Sequence, residues 1–189
     1  LLLACTFVLA VLAAALLWSA GTRTGESQAA AVNIGGPFAL IDQHGHRITD
    51  RDFHGRFVLL YFGYTYCPDV CPTTLALMAN VLERLGPRAA RIVPVFVTID
   101  PERDTPAVLK SYLASFGPRF VGLTGSSQAI ARAAHAYRVY YAKHPLDGGG
   151  YAMDHSSVVY LLAPDGRFVK VYDDQTPPAA LATDLRARL

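Results

Sequence analysis

Charge is scarce in this chain. Only 17% of its 189 residues are Asp, Glu, Lys or Arg, and the formal net charge is +2. No Lys/Arg cluster runs along any segment, so the electrostatic footprint of a nucleic-acid-binding protein is missing. Cysteine is scarcer still. Of three cysteines, Cys5 lies in an apolar run at the start, which leaves Cys67 and Cys71 as the pair of the remaining chain. Two thiolates cannot by themselves make a four-ligand zinc or iron–sulfur site. A disulfide between them would close a very short loop, and short loops stabilise less than long ones, so a purely structural staple is a poor use of the pair. There is no internal repeat and no low-complexity tract.

What is present is apolar: 52% of the residues are hydrophobic, enough for a packed core, and the length suits one domain of ordinary size. The stretch Leu1 to Ala20 carries no charge at all. It is long enough to cross a hydrocarbon core of roughly 30 Å as a helix. It also exceeds the roughly 7–15-residue apolar region of a cleaved signal. A transmembrane anchor over 1–20 is therefore expected. Cleavage near Ala20 or Gly21 is the second reading. A lipoprotein site at Leu2-Leu3-Ala4-Cys5 is the third, and the long apolar run beyond Cys5 speaks against it. The first residue is Leu rather than Met, and a basic segment is expected upstream. Residues 21–31 are small and polar and read as a flexible linker. A single folded domain is expected over 32–189, held at the cytoplasmic membrane and facing the periplasm or another extracytoplasmic space.

Within that domain, two apolar flanks around His44-Gly45 predict an N-terminal β-hairpin. Phe57 to Phe62 and Ile92 to Ile99 are continuous apolar runs, as in strands buried on both faces. Between them Leu75, Met78, Leu82 and Leu85 fall at steps of three or four, the stripe of a helix opened by Pro72 and stopped at Gly86-Pro87. Helices are expected over 106–116, over 126–137 and from Pro178, with short strands at 120–123 and 139–142. Residues 143–154, with Gly148-Gly149-Gly150, read as a loop, and 157–162 with 168–172 as strands joined at Pro164-Asp165-Gly166. Alternating strands and helices imply an α/β fold, with a mixed central sheet flanked by helices. A Cys motif that follows the first buried strand and opens a helix matches thioredoxin-like architecture.

The chemistry gathers at Cys67-Pro68-Asp69-Val70-Cys71-Pro72. With Pro72 as the helix start, Cys71 is expected at the N-cap, where backbone N–H groups and the helix dipole favour a thiolate. Cys67 then sits in the loop at the carboxyl edge of the strands, where α/β folds place ligands. Soft thiolates select Cu(I), Zn(II) or iron–sulfur clusters. A third ligand must come from elsewhere, and an imidazole is the obvious candidate. Two thiolates with one imidazole suit Cu(I) and can also hold Cu(II).

Six histidines compete for that role. His44, His46 and His54 lie around the hairpin and read as solvated turn residues. His135 sits on an Ala-rich helix, where a core or capping role fits, and His144 precedes Pro145 in a loop. His155 follows the Gly-rich loop and precedes a buried strand, whose start a thioredoxin-like fold brings beside the cysteine turn. Around it, Asp154 is a candidate to orient the imidazole, and Met153 could offer a thioether or simply pack. Asp69 forms the turn between the cysteines, tunes their charge or meets a partner. Tyr64 and Tyr66 are candidates to shield the site.

These residues resemble the Sco/SenC family of copper chaperones from about Gly36 to Tyr172. The resemblance is carried by Tyr61-Phe62-Gly63-Tyr64-Thr65, the Cys67–Pro72 segment, Asp100-Pro101-Glu102-Arg103-Asp104-Thr105-Pro106, Phe120–Gly125 and Asp154-His155-Ser156. It implies a thioredoxin-like domain that binds Cu(I) or Cu(II) through Cys67, Cys71 and His155. It also implies delivery of copper to the dinuclear copper centre of cytochrome c oxidase, or maintenance of that centre's cysteines. The implied partners are the oxidase copper-site subunit and other copper chaperones.

Alternative readings remain. A thiol-disulfide oxidoreductase would use the same cysteines as its redox pair, although thioredoxin-like reductases separate theirs by two residues rather than three. A peroxiredoxin would need Pro and Thr where Leu60 and Tyr64 stand before Cys67. An envelope redox or copper sensor would signal through a partner. A chaperone without catalytic turnover is preferred to an enzyme.

Overall fold

The computed structural model describes residues 34–173 and 175–189. The expected anchor over 1–20 and linker over 21–31 lie outside the described residues. Among those described, no helix is long and apolar enough to cross a membrane.

The chain opens with β1 (Ala39–Asp42) and β2 (Arg47–Thr49), the predicted hairpin, followed by a short 3-10 turn at Asp50–Phe53. Asp42 ties the hairpin turn by accepting the backbone N–H groups of His44 and His46, each at 2.8 Å. Then come β3 (Phe57–Gly63), α1 (Val70–Leu85), β4 (Ile92–Thr98), α2 (Pro106–Ala114), β5 (Val121–Thr124) and α3 (Ser127–Ala136). The chain continues with β6 (Tyr141–Pro145), β7 (Tyr151–His155), β8 (Val158–Leu162), β9 (Phe168–Asp173) and α4 (Pro178–Arg186).

Seven strands form one sheet in the order β2-β1-β5-β4-β3-β8-β9. The inner strands β3, β4 and β5 are parallel, and the pairs on either side are antiparallel. The sheet is therefore mixed, as expected. The apolar runs of β3 and β4 occupy the middle, where both faces are covered, and β4 is buried along its whole length.

Two expectations are corrected. Helix α1 begins at Val70 rather than Pro72, with Asp69 rather than Cys71 at the N-cap. The first intrahelical bond runs from Thr73 N–H to the Asp69 carbonyl at 3.2 Å. Pro72, third in the helix, thus lacks a donor where an α-helix has no acceptor for one. The second correction concerns residues 143–154, which are largely a β-hairpin. Strands β6 and β7 pair antiparallel as a separate two-stranded sheet. Gly149 and Gly150 take φ of 89° and 79°, the left-handed region glycine permits, and so reverse the chain. Both strands are mostly part-buried or exposed, so they lack the clean alternation that marks a strand in sequence.

The predicted stripe of α1 is its buried face: Leu75, Met78, Leu82 and Leu85 all pack into the core, joined by Thr74, Val81 and Cys71. Replacing the fully buried Leu75 removes three carbons from the face that seats the cysteine-bearing helix. Leu75→Ala is expected to lower the unfolding free energy by about 2–5 kcal/mol in a urea titration, with the slope unchanged. A loss well under 1 kcal/mol would mean that this face is not packed as described.

Candidate metal centre

Strand β3 ends at Gly63, and the chain then turns through residues 64–69 into α1. Cys71, second residue of the helix, points back at the strand end and is completely buried. Its sulfur lies so close that a Cβ on Gly63 would meet it at 2.8 Å, with Phe96 at 3.0 Å and Tyr61 at 3.1 Å. Glycine at 63 is therefore a condition of the sulfur's position. The Tyr61 hydroxyl donates to the same sulfur at 3.7 Å. Burial pushes the phenol up, with Cys71 beside it adding to the shift, so this group stays a donor.

Cys67 sits in the turn, with its sulfur accepting the Cys71 backbone N–H at 3.4 Å. His155, the last residue of β7, brings its Nε2 to 3.3 Å from the Cys71 sulfur. Its Nδ1 faces the Ser156 carbonyl at 3.0 Å. A carbonyl only accepts, so Nδ1 carries a proton, and Nε2 is the ring nitrogen that faces the sulfurs. Tyr61 and Tyr64 meet the imidazole in edge contacts at 6.0 and 5.9 Å between centroids. The Sγ atoms of Cys67 and Cys71 and a ring nitrogen of His155 all lie within 4.8 Å of one another. No other His/Cys/Asp/Glu group of this kind occurs among the described residues.

The two thiols are electrostatically unequal. The hydrogen bond from Cys71 holds Cys67 far below the ordinary thiol range, aided by His155 and by the backbone at Asp69 and Cys71. That same bond, together with burial, pushes Cys71 up. The outer sulfur is thus the more readily ionised of the two and the inner one the less. Two soft sulfurs and one imidazole nitrogen fit a soft cation of low coordination number, and a metal that binds both sulfurs displaces any proton they carry. A shallow pocket whose walls include Tyr64, Cys67, Asp69, Met153, Asp154 and His155 opens on the Cys67 side.

The remaining expected residues lie as follows. Asp69 occupies the N-cap without a side-chain capping bond. Asp154, expected to orient His155, instead holds His144 across the β6–β7 hairpin at 2.8 Å, and the Ser156 carbonyl takes the orienting place. Alternation along β7 sends Asp154 to the face opposite its neighbour His155. Met153 is buried in the pocket wall and Tyr64 is buried beside His155, whereas Tyr66 is 63% exposed. His44 and His46 stay at the hairpin turn, with His46 beside Asp42. His135 is exposed in the last turn of α3 rather than in the core.

Two supports were not assigned from sequence. Gly63 is one. The other is Asp104, which is fully buried and accepts the Thr65 N–H at 3.0 Å, the Thr65 hydroxyl at 2.6 Å and the Thr98 hydroxyl at 2.6 Å. Burial raises this carboxyl, and the donors from Thr65 and Thr98 act the other way. It pins the start of the cysteine loop to the end of β4. The available signal was the run Asp100 to Pro106, an unusual density of polar residues at the end of a buried strand.

A family model described as SCO1/SenC matches residues 26–189. Protein SCO1 homolog 1, mitochondrial, from Arabidopsis thaliana is 44% identical over 140 residues, covering 74% of this chain. That match spans 42% of the plant protein's own length. Among solved structures, Bradyrhizobium japonicum ScoI with copper bound superposes with a TM-score of 0.78 at 46% identity, covering 82% of this chain and 99% of that one. A second, BsSco, has a TM-score of 0.66 at 27% identity, covering 82% and 94%. It is described as having a disulfide switch and as a member of the Sco family of cytochrome c oxidase assembly proteins.

The thiol asymmetry predicts the order of alkylation. Because Cys67 is held below the ordinary thiol range and Cys71 above it, limiting iodoacetamide should modify Cys67 first, at a rate nearly flat between pH 6 and 8. Peptide mass spectrometry reads this directly. A Cys67 rate rising about tenfold per pH unit would show an ordinary thiol instead. Gly63→Ala should cost about 1–3 kcal/mol in denaturant unfolding, because the added methyl must displace the Cys71 sulfur or Phe96.

Proposed function

The chain belongs to the SCO1/SenC family, and on that premise we propose that it is a copper-binding metallochaperone of cytochrome c oxidase assembly, with copper as its cargo. The observation that carries this reading is the convergence of Cys67, Cys71 and His155 from two separate elements of the fold. Copper, as Cu(I) or Cu(II), is received by the two sulfurs and by Nε2 of His155. Three ligands leave room for a further donor on the ion, and the pocket on the Cys67 side gives an acceptor's ligands a way in. Release can then proceed by ligand exchange, with the acceptor's donors replacing these one at a time.

The acceptor in this reading is the dinuclear copper site of the oxidase subunit, and other copper chaperones are candidate donors. The uncharged run Leu1 to Ala20 supports a membrane anchor, with the domain on the periplasmic side.

A second reading is favoured by the unequal thiols. Cys67 thiolate can attack a disulfide of the oxidase copper site, releasing one partner thiolate and forming a mixed disulfide. Cys71, on losing its proton, attacks the Cys67 sulfur and releases the second partner thiolate. The Cys67–Cys71 pair is oxidised by two electrons and the partner's cysteines are reduced by two.

Copper titration of the full chain, reduced and anaerobic, separates these readings. Delivery predicts one tightly held copper per chain, with Cys67→Ser, Cys71→Ser and His155→Ala each weakening it by at least about 100-fold. That is the upper end of what losing an outer partner of a metal ligand costs. Oxidase assembly should fail in His155→Ala cells. Full assembly in those cells, together with reduction of an oxidised copper-site peptide by metal-free protein, would move the assignment to thiol-disulfide exchange.

A further inference from the structure

The three ligands stand on elements that share no backbone ladder. Cys67 and Cys71 belong to the turn and helix that follow β3 of the main sheet, while His155 ends a strand of the separate β6–β7 sheet. The His155 end of that hairpin is tied through the two-residue link to β8, which pairs with β3, but no sheet pairing seats its Tyr151 end against the cysteine turn.

One guanidinium touches both. The carbon at the centre of the Arg103 guanidinium lies 3.7 Å from the ring centroid of Tyr151, at the start of β7. On the cysteine side it lies 4.7 Å from the ring of Tyr66 and 5.8 Å from that of Tyr64. Its Nη1 donates to the Tyr151 carbonyl at 3.0 Å, and its Nε donates to the Asp100 carboxylate. Asp100 in turn accepts the Tyr151 hydroxyl at 2.8 Å. Tyr151 is therefore gripped at its backbone, its ring and its hydroxyl by residues of a single segment. Nη2 is buried with no hydrogen-bond partner among the described residues, which leaves the aromatic faces as that edge's surroundings. An arginine suits this place because its planar cation stacks on rings while its fork makes directed bonds, which a lysine cannot reproduce. Tyr151 and His155 lie on the same face of β7, so a shift at one end of this short strand is transmitted to the other.

We propose that Arg103 is a positioning residue of the metal centre: wedged between Tyr66 of the cysteine turn and Tyr151 of the β6–β7 hairpin, it sets where His155 stands relative to Cys71. The proposal rests on the reading of His155 as a copper ligand. Arg103 itself makes no bond to any of the three ligands. Its action runs through the hairpin.

The test is a double-mutant cycle on the full chain in detergent, using Arg103→Lys and His155→Ala, singly and together. Cu(II) is the probe, read by competition titration and by the nitrogen coupling in its electron paramagnetic resonance spectrum. Arg103→Lys is expected to weaken Cu(II) binding by about tenfold or more and to reduce the nitrogen coupling. In the His155→Ala background the same change should add nothing, because the residue it positions is gone. In the reduced, metal-free protein, Arg103→Lys should speed hydrogen exchange of the hairpin amides at 151–155 while α1 amides keep their protection. Tyr151→Phe, which removes the hydroxyl bonds to Asp100 and Glu102, should act in the same direction and serves if the lysine variant does not fold. Effects of Arg103→Lys that multiply with those of His155→Ala, or hairpin exchange unchanged in both variants, would overturn the proposal. Copper binding indifferent to His155→Ala would instead remove the metal-ligand reading, and the exchange measurement would still decide whether Arg103 holds the hairpin.

Discussion

The Cys71 sulfur occupies space that any side chain at position 63 would fill. This one steric constraint sets the geometry around it. Because β3 ends in glycine, the first turn of α1 can close against the strand end and bury a thiol completely. Once buried, the sulfur takes a hydrogen bond from Tyr61, and it stands close enough to the Cys67 sulfur and to His155 for all three to act on one ion. A larger residue at 63 would remove none of the three side chains, yet it would remove the place where they meet.

The same burial creates the inequality between the two sulfurs. A buried thiol resists ionisation, and the neighbour to which it donates is stabilised as a thiolate. That arrangement is poised for two kinds of chemistry. An incoming soft cation finds the more readily ionised sulfur at the mouth of the pocket and the more protected one behind it. An incoming disulfide finds a nucleophile in front and a resolving thiol behind. Two thiols are common to both acts, and only the cation would take the imidazole as a direct binding partner.

Behind the ligands, the segment from Asp100 to Thr105 serves two elements at once. Asp104 is buried and collects three donors that fix the start of the cysteine turn. One residue earlier, Arg103 faces the hairpin that ends in His155. Consecutive residues of one loop thereby address opposite sides of the site, so the precision of the cluster depends on a connection that supplies no ligand.

Much of this protein is written in local pattern. The apolar runs of β3 and β4, the stripe on α1, and the cap and proline that open α2 are short-range signals, and each element forms where they point. The pairing of Cys67 and Cys71 with His155 could also be reached from sequence, because thiolate chemistry narrows the metal and fold topology narrows the histidine. The β6–β7 hairpin could not be read in this way. Its strands face solvent on much of their surface, and a half-exposed hairpin carries no strict alternation. The partner of His155 was equally invisible: whether Asp154 or the Ser156 carbonyl meets Nδ1 depends on which way each group faces at the end of β7. The amino-acid order by itself determined the inner strands, the helices and the kinds of donor on offer, because propensity and donor chemistry are local. Only the tertiary structure decided that Gly63 must lack a side chain, that Asp104 holds the turn and that Arg103 spans two elements, because each depends on atoms far apart in sequence and within a few ångströms in space.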